Sequence, residues 1–195
     1  MWYNLPMKNY TTLRLTVSGL LIAVGIIIPA FSPVKILLEP ASFTLASHVV
    51  IFIAMFISPS VAATVAAGTT LGFFLGGFPI VVVFRAASHL IFATLGAAYL
   101  QRAKEAVLPP VKLRAFSFTV ALAHAVCELF IVSALYFSGA AGTTGYQRGV
   151  LSILLLVGVG TVVHSMVDFE IANIVLYPLR KHAGFDKLAV RKAST

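Results

Sequence analysis

The chain has 195 residues, of which 59% are hydrophobic and only 10% charged, with a formal net charge of +8. A soluble domain carries roughly 25% charged residues, so there is too little polar surface here to cover a water-facing fold. A single cysteine, Cys127, rules out an internal disulfide. A membrane-crossing helix takes about 20 mostly apolar residues. The apolar stretches fit six of them, which makes the fold class all-α: an integral membrane bundle forming a single transmembrane domain over residues 1–195.

In chain order, the first predicted helix covers about 13–31 and is closed by Pro29 and Pro33. A connecting loop, SPVKILLEPAS, follows. The second helix is expected at about 43–57, ending at Ser58-Pro59, and the third at about 61–75, ending at Gly76-Gly77-Phe78-Pro79. The fourth spans about 80–100, the fifth 115–137 and the sixth 150–179. Pro lacks an N–H and Gly is conformationally loose, so these residues set most of the boundaries. The second and third helices are short for full spans and are expected to tilt little or to sit partly inside the bundle.

Six spans place both termini on one side. That side collects Lys8, Arg14, Arg102, Lys104, Lys112, Arg114, Arg180, Lys181, Lys187, Arg191 and Lys192, whereas the other holds only Lys35 and Arg148. Positive charge accumulates on cytoplasmic loops, so both termini are expected in the cytoplasm of a multi-pass cell-membrane protein. Topology and attraction to anionic lipid explain the basic charge. The sequence shows no aromatic-interleaved basic groove, and nucleic acid is not an expected partner.

Ionisable side chains inside a bilayer are expensive and mark candidate functional positions. The fourth helix carries Arg85 and His89, the fifth His124 and Glu128, and the sixth His164 and Asp168, each pair spaced i,i+4 on one helix face. At about 1.5 Å rise per residue, Arg85 lies roughly 8 Å below the outer end of its helix and Glu128 roughly 14 Å below the end of its own. Arg85, His89 and Glu128 can therefore meet in the outer half of the bundle. Arg85 is permanently charged and presents a planar fork suited to a carboxylate. That carboxylate is either Glu128, as a structural partner, or an anionic ligand. The other intramembrane His and acid residues read first as pairs tying the bundle together, and His48 as an interfacial histidine. Gly68, Gly72, Gly76 and Gly77 read as a close-packing face, with Phe74 and Phe78 available to wall a pocket. Gly19 and Ala23 form a small-xxx-small patch on the first helix.

No HExxH zinc pair, Walker A loop or GxSxG elbow is present, so no enzyme, no cofactor and no metal site is expected. The i,i+4 His/acid pairs are too generic to specify a metal. Without an ATP motif the chain does not energise transport by itself. The alternative is a stand-alone proton-coupled secondary transporter or channel, in which the His/acid pairs form a proton relay.

The segment LTVSGLLIAVGIIIPA (Leu15–Ala30), the loop KILLEPASF, the run SHVVIFIAMFISPSVAATVAAGTTLGFFLGGFP and the Arg85/His89 helix together resemble the substrate-binding S components of energy-coupling factor (ECF) vitamin transporters. The resemblance covers most of the chain and points to the pantothenate or niacin group. It implies a non-catalytic subunit that binds a vitamin in an outward pocket roofed by the first loop. It also implies two kinds of partner, a membrane coupling subunit and two cytoplasmic ATPase subunits, with Gly19 and Ala23 as the docking patch. Gly19 replaces the alanine more usual there, a mild departure because Gly also permits close approach. The expected substrate-binding residues are Arg85, His89, Glu128, Phe74, Phe78 and His124. Pantothenate is the first expectation for the vitamin, its carboxylate on Arg85, and niacin is the next.

Overall fold

The computed structural model describes residues 7–38, 41–103, 108–139 and 149–180. Of the charges that set the expected topology, Lys104, Arg148, Lys181, Lys187, Arg191 and Lys192, and the side chains of Lys8 and Arg180, lie outside the described residues.

The described chain is six helical rods and one small hairpin. Helix α1 (Met7–Phe31) leads into strands β1 (Lys35–Leu38) and β2 (Ala41–Thr44), then α2 (Val49–Ile57), α3 (Pro59–Leu75), α4 (Ile80–Arg102) and α5 (Pro110–Phe137). The last rod is α6 (Gly149–Ser152), a π-helical stretch (Ile153–Val159) and α7 (Gly160–Arg180) in continuous succession. Among the described residues four helices are long and apolar enough to cross a membrane: Thr11–Phe31, Ile80–Arg102, Pro110–Phe137 and Val150–Leu179. Six full-length spans are therefore not what the fold displays. Helix α3 has 17 residues and α2 only nine, which at about 1.5 Å per residue is roughly 14 Å.

The second helix departs most from the sequence expectation. It starts at Val49 rather than Phe43, because residues 41–44 pair with 35–38 in an antiparallel ladder from Lys35–Thr44 to Leu38–Ala41. The hairpin takes up the depth a longer helix would have filled. A tight turn then carries the chain inward. Ala46, at φ 67°, sits in the left-handed region that alanine seldom adopts, and contacts described below hold it there.

Helix α2 is the central element. It packs on α1, α3, α4 and α7, and eight of its nine residues are buried. It ends at Ser58, whose hydroxyl accepts the Val61 N–H at 3.2 Å and so caps α3, while Pro59 occupies the first turn, where no N–H is required. Gly76 closes α3, and Gly77, at φ 72°, turns the chain into Pro79 and α4.

Helix α1 lies at the edge. Only 11% of its spanning window is buried, and Leu15, Leu20, Ile27 and Phe31 face outward. Its inner side meets α3 through glycines. Ile22 fills the space where Gly68 lacks a side chain, Ile26 does the same at Gly72, and a Cβ on Gly25 would come within 2.7 Å of Thr69 Cγ2. Small residues thus serve close backbone approach, as expected of this segment. Exposed Leu95, Phe130, Leu155 and Ile174 extend the apolar exterior around the bundle. Apolar residues face both inward and outward, as a lipid environment allows and water does not.

Candidate functional site

Four elements bring their polar stripes to one point near the hairpin. Arg85 from α4 is buried, and its fork is spent on Glu128 from α5: Nε donates to Oε1 at 3.0 Å and Nη2 to Oε2 at 2.9 Å. This two-pronged geometry is the strong form of an Arg–carboxylate contact. Thr161, just beyond the π-helical stretch, donates its hydroxyl to Oε2 at 2.6 Å. Such a stretch shifts the phase of the helix that follows and is frequent at functional sites. The third guanidinium nitrogen, Nη1, is less well served. Among the described residues it has only Ser42 of the hairpin, through the backbone oxygen and the hydroxyl, each at 3.5 Å. That is the long limit for a hydrogen bond.

A second carboxylate organises the start of α2. Asp168 Oδ1 accepts the Ala46 N–H at 2.8 Å, and Oδ2 accepts the His48 N–H at 2.9 Å. The carboxylate thus supplies from another helix the cap that α2 lacks, and it clamps the left-handed Ala46 turn. Asp168 Oδ2 also lies 3.1 Å from His48 Nδ1. A carboxylate only accepts, so Nδ1 is the donor. Ser47 bridges onward to His164 Nε2 at 3.2 Å. His48 is therefore buried at the centre of the site, not interfacial as the sequence suggested. The hairpin, which replaced the first turns of the helix, is the reason.

Four imidazoles crowd together here. The rings of His48, His89 and His124 form a near-equilateral triangle with centroid separations of 4.7, 4.8 and 4.8 Å, and His164 lies 5.0 Å from His48. Beside them is a cavity of about 80 Å³, walled by Arg85, His48, His89 and Glu128, and by Ser42 and Thr44 from the hairpin. Phe73 and Ile51 supply apolar wall.

Of the residues singled out in the sequence, Arg85, His89 and Glu128 come together on this cavity. His124 contacts Glu128 but is fully buried behind it and does not line the cavity. Phe78 packs against Phe73, with ring centroids 4.7 Å apart and planes tilted by 31°, and does not line the cavity. Phe74 is 59% exposed and belongs to a shallow apolar groove on the outside of α3 and α4, with Leu71, Val83 and Leu90. The expected aromatic wall is thus Phe73 rather than Phe74. Adjacent positions on a helix diverge by about 100°, and no residue pattern in this uniformly apolar stretch distinguished one from the other. Ser42, His48 and Thr161 were missed as site residues, because none of them shares an i,i+4 stripe with an acid.

Comparison with known proteins bears on the whole chain. It is 43% identical over 166 residues to the niacin transporter NiaX of Lactococcus lactis subsp. cremoris, an alignment covering 85% of this chain and 73% of the relative. The chain belongs to the S components of energy-coupling factor vitamin transporters. No family model and no solved structure matches it. As an S component it is a non-catalytic, multi-pass subunit of the cell membrane. The small-residue patch of this S component faces away from its own bundle. Gly19 and Ala23 are exposed on α1, and a Cβ placed on Gly19 would meet nothing within 4 Å.

Proposed function

We propose that this S component captures niacin, with Arg85 as the anchor for its carboxylate. The observation that carries the reading is the under-used Nη1 of Arg85, a charged donor on the wall of a small cavity whose contacts among the described residues are 3.5 Å ones to Ser42. A carboxylate arriving there would gain a charge-assisted hydrogen bond without dismantling the Arg85–Glu128 pair. Phe73 offers an apolar wall to an aromatic ring, and Ser47 offers a hydroxyl for a ring nitrogen. Size separates this reading from pantothenate, the vitamin the sequence favoured. The cavity of about 80 Å³ is well under the roughly 300–1,000 Å³ of pockets for drug-sized ligands, and it suits a compact planar acid better than a long flexible one. The name of the L. lactis relative points the same way.

The six rods are read as six passes, with α2 beginning inside the bundle because the hairpin fills its outer mouth. Both termini are then cytoplasmic and the cavity opens outward under the hairpin. A membrane coupling subunit and two ATPase subunits complete the transporter, docking on the Gly19/Ala23 face of α1. Titration calorimetry with nicotinic acid, nicotinamide and pantothenate tests the ligand. Nicotinic acid should bind at least about 100-fold more tightly than its neutral amide, the scale of a charged contact of roughly 3 kcal/mol. Equal affinity for acid and amide would remove Arg85 as the anchor. Uptake by vesicles lacking any ATPase would overturn the reading that a coupling subunit and two ATPases drive it.

A further inference from the structure

We propose that His48, His89 and His124, together with Glu128, form a binding site for one divalent transition-metal ion of the Zn²⁺ class, distinct in its donors from the carboxylate anchor on Arg85. One candidate ligand atom from each of these four buried residues lies within 4.8 Å of all the others. Metal–nitrogen bonds of about 2.0–2.1 Å in a tetrahedral shell place neighbouring ligand atoms about 3.3 Å apart, so closure on an ion needs movements of about an ångström. The three rings already stand edge to face around a common centre, at interplanar angles of 72°, 69° and 87°.

Two observations point to a ligand rather than to packing. The Nε2 atoms of His89 and His124 are buried and have no hydrogen-bond partner among the described residues. Buried polar atoms are almost always satisfied, so two unsatisfied ones converging on one spot call for an explanation. Both approach the same carboxylate oxygen, Glu128 Oε1, at 3.9 and 3.3 Å, without the alignment of a hydrogen bond. Oε1 accepts from Arg85 Nε, and a carboxylate oxygen has a second lone pair with which to bind an ion.

The groups behind the rings match those of metal-bound histidines. Such a histidine usually donates its remote N–H to a carboxylate, a carbonyl or a comparable acceptor, which leaves the other nitrogen as the ligand. His48 Nδ1 donates to Asp168 at 3.1 Å, and His124 Nδ1 lies 3.3 Å from the Ser165 hydroxyl. Charge agrees as well. With neutral imidazoles, buried Glu128 and Asp168 oppose Arg85, the one buried cation among the described residues, so the site carries a formal −1. A second set, His48, His164 and Asp168, overlaps the first. In that set His164 Nε2 already has the Ser47 hydroxyl at 3.2 Å, whereas the set containing Glu128 holds the two unpartnered Nε2 atoms and is the better ligand cage.

The test uses the full chain in detergent, purified through a tag without histidine, stripped with chelator and dialysed against Zn²⁺ or Co²⁺ alone, with no vitamin present. One equivalent of metal should remain by elemental mass spectrometry, and bound Co²⁺ should show the visible absorption of a tetrahedral nitrogen–oxygen site. His89→Gln and His124→Gln should each weaken binding by more than about 100-fold, beyond the roughly 10–100-fold lost when a partner behind a ligand is removed. His164→Gln should keep the metal. Less than stoichiometric metal on the unmodified chain overturns the proposal whatever the variants do. Retention by His124→Gln, with loss by His164→Gln, overturns the assignment of ligands. Because the metal alone is the probe, neither result bears on the vitamin.

Discussion

Replacing Arg85 by Met separates the two partners the guanidinium is argued to have. In the folded chain Glu128 is 1% exposed, and both its oxygens accept from Arg85, at 3.0 and 2.9 Å. Arg85→Met strands that carboxylate in the bundle, and breaking a buried pair from one side costs about 3–5 kcal/mol. At roughly 2–4 °C per kcal/mol for a chain of this size, the melting temperature should fall by about 6–20 °C. Adding Glu128→Gln removes the orphaned charge and should restore most of that loss, leaving about 1–2 kcal/mol for imperfect hydrogen bonding. Niacin binding should not return with stability. Truncating a desolvated partner of the vitamin carboxylate costs about 2–5 kcal/mol, or roughly 30- to 4,000-fold in affinity. Thermal unfolding of detergent-solubilised protein reads the first quantity and calorimetry the second. If the double variant regains both stability and affinity, Arg85 serves only Glu128 and the anchor must be sought elsewhere. If the single variant melts like the parent, the pair is not buried as described.

Thr161→Val deletes the 2.6 Å hydrogen bond to Glu128 at nearly constant volume, and should lower stability by about 1–3 kcal/mol in the same melting assay. Gly160→Ala would set a Cβ 2.6 Å from Phe43 Cζ, so the Phe43 ring of the hairpin must shift; niacin affinity should fall while the melting temperature moves only slightly. Gly19→Leu or Ala23→Leu adds bulk to the outward face of α1, where a Cβ on Gly19 meets nothing within 4 Å. Vitamin binding should be unchanged, and ATP-dependent uptake by the assembled transporter should be lost; retained uptake would remove this face as the docking surface.

Several helix boundaries at Pro and Gly were legible because those residues act through local backbone geometry, but the fifth helix, expected from 115, begins at Pro110, where a proline fits the first turn. Helix α4, expected at 80–100, runs over Ile80–Arg102. The meeting of Arg85 with Glu128 was also legible, since two long helices of known rise bring residues of similar depth together. The start of α2 was not. Phe43–His48 contains no Pro or Gly to mark a boundary, and its extended, turned path depends on pairing with Lys35–Leu38 and on Asp168, 120 residues from His48 in sequence. The choice of Phe73 over Phe74 was equally out of reach.

By itself the sequence determined the solvent. With 10% charged residues the chain must live in lipid, and it must satisfy its backbone almost entirely within helices. It determined as well which few side chains are too polar for that solvent and so must turn inward. Only the tertiary structure decided how they combine. No two of His48, His89 and His124 are neighbours on one helix, so nothing in their spacing foretold a triangle with sides under 5 Å. Periodicity reports the face a residue occupies, whereas a cage for a ligand depends on which faces of different helices converge.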